Sequence, residues 1–218
     1  MAAPSRPVDR ITRPSLRLAI CLRLLLLPAL CPAARDVDTA RPVIPLANGL
    51  NNLSLTAAPL PARAFLAHRD NFNAHDFEVL TLYIEAPVGP GDKPRWQLVP
   101  AFDTRDEKRR GVPRGEHLTL QAYGGADCRL GDFRLLAASA DADATLVLAD
   151  RELGDGFASP APVAFRFFKL RKNSDGIPGR PAYYFEFDHE RRAAKPYCDV
   201  GEALQTELGV GPYQPTQR

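Results

Sequence analysis

Residues 70–77 read DNFNAHDF. Asn71, Asn73 and His75 fall on alternate positions, interleaved with Phe72 and followed by Phe77, at the entrance to a strand-like run. Side-chain amides donate and accept hydrogen bonds but do not exchange protons at neutral pH, so the cluster suits recognition of a small polar ligand better than acid–base catalysis. The same residue types also tie down loops: Asn and Asp at a strand entrance satisfy backbone amides through Asx turns, and a histidine beside aromatics is often a hydrogen-bonded boundary residue. Both readings stand at this point. In the binding reading, Asn71, Asn73 and His75 form the mouth of a pocket whose aromatic wall includes Tyr83 and Trp96.

Other chemistries lack their residues. No serine is followed three positions later by lysine, and there is no GxSxG, so the acyl-transfer motifs of serine β-lactamases and serine hydrolases are missing. Phosphate-cradling glycine loops are missing as well. His68, His75, His117 and His189 are scattered, with no HExxH or close ligand pair, so the sequence asks for no metal and no cofactor. Catalysis is therefore unsupported, although a pair of carboxylates brought together by the fold would be invisible here.

The N-terminus reads as an export signal. Arg6, Arg10, Arg13 and Arg17 precede the apolar run LAICLRLLLLPAL, and the small residues of CPAARD follow it. That run is well short of the ~20 residues that span a bilayer, so no permanent membrane span is expected. Cleavage after Ala33 or Ala34 removes Cys21 and Cys31, leaving Cys128 and Cys198 to pair in an oxidising periplasmic or secreted setting. A net charge of +2 asks for no nucleic acid. The expected partner is a small molecule, with homodimerisation left open.

The elements that must hold these residues are mostly strands. The 21 prolines are spread along the chain and break it into short pieces. Segments 63–69, 77–86, 95–103, 116–124, 128–139, 144–153, 162–172 and 181–189 are rich in β-branched and aromatic residues and bounded by turn signals. In NSDG, Asp175-Gly176 supplies the positive φ of a tight turn. Segment 77–84 carries apolar residues on both faces and is expected to be central and doubly covered. One helix is expected over 199–209, with Asp199 as N-cap, Glu202 completing a capping-box-like pair and Gly209 as the stop. The domain reading is a signal peptide over 1–34, an irregular segment over 35–62 and one β-rich domain over 63–218. The fold class is mainly β: an antiparallel sheet assembly, sandwich-like or a half-open barrel, with one C-terminal α-helix. RDEKRR, 105–110, reads as a solvated loop.

Ordered pieces of the chain resemble the exported carbapenem self-resistance proteins of the CarG type from Gram-negative bacteria. They are RDNFNAHDFEVLTLY, WQLVPAFD, GADCRLGDFRLL, VAFRFFKLRKN, GRPAYYFE and YCDVGEALQTELG, running from Arg69 to Gly209. The departure lies upstream, where NGLNNLSLTAAPLPAR replaces the acidic, glycine-containing turn expected of that family. The resemblance implies a periplasmic protein that protects by binding a β-lactam or similar small molecule without hydrolysing it. A non-catalytic envelope interaction module and a small hydrolase on a β scaffold are the competing classes.

Overall fold

The computed structural model describes residues 40–89, 91–105, 115–125 and 127–213. The segment 1–34, expected to be a signal peptide, and almost all of RDEKRR lie outside them. Residues Arg35–Arg218 form one unit, whose described residues build an eleven-stranded sheet. In chain order the strands are β1 (Gly49–Leu53), β2 (Ala62–Asp70), β3 (Asp76–Ala86), β4 (Arg95–Leu98), β5 (Ala101–Phe102), β6 (Glu116–His117), β7 (Leu120–Gly124), β8 (Arg129–Leu136), β9 (Thr145–Arg151), β10 (Val163–Lys172) and β11 (Tyr183–Arg192). Their spatial order is β1-β2-β3-β7-β8-β9-β10-β11-β5-β6, with β4 paired to β3 beside this path.

The mainly β expectation is met, and the pairing is antiparallel except for the short parallel contact of β11 with β5. The sheet stays open, but its two arms approach each other at Val99–Pro100. There the Val99 amide donates to Leu82 O of β3 and the Phe185 amide of β11 donates to Pro100 O, each at 2.8 Å. Pro100 brings no amide of its own, so the run 95–103 splits at this point into β4 and β5. Segment 116–124 also splits, at Leu118-Thr119.

Two apolar layers hold the sheet. Leu66, Leu80, Leu82, Ile84, Phe133, Leu146, Phe168 and Phe185 belong to one layer. Val147, Val163, Phe165 and Phe167 face the other way, against Val200, Ala203, Leu204 and Leu208 of the C-terminal helical segment. Strands buried on both faces are therefore β8 and β9; in β9, Leu146 and Leu148 enter one layer and Val147 and Ala149 the other. β3 was expected in that role. It is central, pairing with β2, β4 and β7, but only its 80-82-84-86 face is buried. Its other face is half-buried, because the helix covers β8–β10 instead.

The sequence predicts an irregular segment over 35–62, yet its described part belongs to the fold. The polar strand GLNNL pairs along β2, and Leu46 and Leu55 are core residues. The helix begins where expected: α1 (Val200–Ala203) is capped by Asp199, whose Oδ1 accepts from Gly201 N at 2.7 Å and Glu202 N at 3.1 Å. It continues as a π-helical turn over Leu204–Leu208 and stops at Gly209, which takes φ 70°.

Candidate functional site

A concavity of about 1020 Å³ opens between β8, the 45–51 segment, the start of α1 and the chain near Tyr213. Its chemistry comes from charges set inside apolar strands. Asp132 and Arg134 of β8 pair at 2.8 Å with side chains only 2% and 3% exposed. The same guanidinium donates from Nε to Gly211 O at 2.7 Å and from Nη1 to Phe133 O at 2.6 Å, and it lies over the Tyr213 ring. Arg129 stands nearer the opening, its side chain 37% exposed, 3.4 Å from Glu78 and 3.5 Å from Asp132. The Tyr213 hydroxyl donates to Glu78. Burial, then this hydrogen bond, pushes the phenol well above its ordinary range, so Tyr213 is neutral in the fold.

The cleft is tied together at its helix end. Asp199 caps α1 with one oxygen and accepts the Arg129 amide with the other, at 3.2 Å. The neighbouring Cys128 and Cys198 are bonded to each other with Cα atoms 5.4 Å apart, which is compatible with the expected disulfide. Among the described residues, the lining contains no serine, cysteine, lysine or histidine. Each carboxylate in it serves an arginine, a tyrosine or a helix cap.

A second network joins β9, β10 and the end of β5. Arg166 bridges Asp150 and, at 3.3 Å, the buried Asp103, which Arg105 also grips at 2.6 Å. Burial alone would raise the Asp103 carboxyl, but Arg105 and then Arg166 outweigh it and hold the group below the usual carboxylate range. Its contribution to stability is therefore present above the unfolded value of about 3.9 and is lost as pH falls through the lower folded value. Asp103→Asn should be clearly less stable than the native chain near neutrality, with the gap closing below about pH 4. Denaturant midpoints measured from neutral to acid pH check this; a gap that stays constant would refute it. Tyr123 donates to Asp150 at 3.3 Å. Its ring lies across Gly131, where a Cβ would sit 2.1 Å from a ring carbon, so only glycine admits it.

The residues singled out in the sequence do not form one site. Asn73 Oδ1 accepts the His75 amide at 2.8 Å and Asp70 Oδ1 accepts the Phe72 amide, two Asx turns that build the exposed β2–β3 tip. Phe72 there is almost wholly exposed and takes φ 58°. Asn71 belongs to the same turn and lines none of the hollows described here. His75 does reach a hollow: its Nδ1 lies 3.2 Å from Gly124 O and its ring meets Phe157 edge-on. Tyr83 and Trp96 sit at the other end of β3, where Tyr83 pairs with Arg63 and Leu98 and Trp96 lies under the Arg63 guanidinium at 4.3 Å. Tyr83 lies eight positions along the extended chain from His75, roughly 26 Å. The aromatic wall expected beside the amides is instead Phe77, Tyr123 and Phe157.

No family model matches the chain, and no curated protein matches it. Among solved structures, the crystal structure of CarG matches with a TM-score of 0.58 and 23% identity, over 75% of this chain and 94% of that one. The chain has a CarG-like fold.

Proposed function

We propose that this protein is exported and protects its cell by binding a β-lactam or a similar small molecule without hydrolysing it, and that the ligand sits in the large cleft. The cleft itself carries the reading: about 1020 Å³ on a CarG-like fold, with the part-exposed Arg129 guanidinium on its wall and no serine, cysteine or lysine among the described residues of its lining. The contacts of Arg129 to Glu78 and Asp132 are long, so a ligand carboxylate can compete for the same guanidinium. The resemblance of the ordered segments between Arg69 and Gly209 to CarG-type proteins supplies the ligand class.

Calorimetry of the mature protein against a β-lactam panel, with the ligand recovered and checked by mass, tests this. One-to-one binding with intact ligand is expected, weakened at least ten-fold or so in Arg129→Gln by loss of a charged hydrogen bond. Turnover of the ligand would make the protein a hydrolase. Neither binding nor turnover would make it an envelope interaction module.

A further inference from the structure

We propose a second ligand site, for a small aromatic carboxylate, in the hollow of about 420 Å³ below the β2–β3 tip, with Arg151 supplying the charge. It is separate from the large cleft, and the proposal stands whether or not that cleft takes a β-lactam.

Arg151, the last residue of β9, is 6% exposed and lines the hollow. Its guanidinium donates to the carbonyls of Ser159, of Gly156 at 3.0 Å and of Phe157 at 2.9 Å, while Nε is buried with no hydrogen-bond partner. Among the described residues no carboxylate pairs with it. Arg134, the other deeply buried arginine, shows the contrast, being matched by Asp132. The two neighbours of Arg151 in sequence are committed elsewhere: Asp150 bonds Arg166, and Glu152 bonds Arg192.

Three carbonyls hold the 156–159 loop in place but bring only dipoles. They leave a full positive charge in a poorly solvated setting, a costly arrangement that a bound anion would relieve. The walls define the rest of the ligand. Phe77 and Tyr123 stack with centroids 6.2 Å apart on one side, and Leu130 is buried behind them. Across the hollow, Leu153 and Phe157 are more than half exposed although they face it. Large apolar side chains left open around a buried cation match a flat apolar body bearing one carboxylate, and the volume is in the range of ~300–1,000 Å³ usual for small-molecule pockets.

Phenylacetate and its neutral analogue phenylacetamide, titrated into the mature disulfide-bonded protein and followed by calorimetry, form the test. The acid should bind saturably and about ten-fold or more tighter than the amide, the usual gain from a charge-assisted contact. Arg151→Gln should abolish the difference. Because that change also loosens the loop, Phe157→Ala, at an exposed position, provides a second arm and should weaken the acid several-fold with the melting temperature little changed. Equal binding of acid and amide, or no saturation by millimolar concentrations, would overturn the proposal. So would acid binding that survives Phe157→Ala and disappears in Arg129→Gln, because that pattern places the probe in the large cleft.

Discussion

Asp132→Ala is expected to destabilise the protein by about 3–5 kcal/mol, the range for breaking a buried ion pair from one side. The change strands the Arg134 charge, 3% exposed, with only the Phe133 and Gly211 carbonyls and the Tyr213 ring for company. It also takes from the Phe133 amide its 2.8 Å acceptor and from Arg129 one of its two carboxylates. Replacing the pair together, Asp132→Leu with Arg134→Met, removes both charges and should recover much of the loss, since apolar residues of similar volume often substitute for buried pairs at little cost. Denaturant unfolding of the three variants measures this. A loss under about 1 kcal/mol in Asp132→Ala would mean that the guanidinium reaches water, and the cleft would be shallower than described.

The same pair marks the limit of sequence reading. CRLGDFRLL announces a strand by its apolar residues, and β8 is there. What the run does not announce is that Asp132 and Arg134 point inward, because burial depends on elements far away in the chain: the 45–51 segment, α1 and the residues around Tyr213. β1 was hidden for a related reason. GLNNL has a strand's pairing partner in β2 but not a strand's composition, since one face of this edge strand meets solvent. The double coverage assigned to β3 followed from apolar residues on both faces, a pattern that also fits a strand whose second face is only half-covered. Local chemistry was more legible. The Asp199 cap, the Gly209 stop and the positive φ of Gly176 are short-range events, and all three are present.

The DNFNAHDF stretch divides along the same line. Its Asx-turn reading describes what Asp70 and Asn73 do, because each bonds an amide two residues on. Its ligand reading, for His75 alone, depends on Arg151 at the end of β9 and Phe157 in the loop after it, about 80 residues later. Alternation along β3 placed Tyr83 on a shared face with Phe77 and Val79, but a shared face is not a shared site when the strand is eleven residues long.

Loss of the Cys128–Cys198 bridge is expected to destabilise the protein by roughly 4 kcal/mol, the chain-entropy figure for a closed loop of this length. The cysteines are 70 residues apart, and the segment between them contains β8, β9, β10 and β11. Untying it frees about a third of the chain in the unfolded ensemble, so the effect falls chiefly on that state. A local effect on the folded state should accompany it. Cys128 and Cys198 immediately precede Arg129 and Asp199, the two residues joined by the 3.2 Å bond at the helix end of the cleft. Ligand binding in the cleft should therefore weaken in Cys128→Ala/Cys198→Ala at temperatures where the variant is still folded. Intact mass of the exported protein supplies the independent check, with the first ~33 residues absent and two hydrogens fewer than the reduced chain. Two alkylatable thiols in the native protein would refute the bridge. A bridge that forms but adds under about 1 kcal/mol would mean that the unfolded chain already holds these ends together.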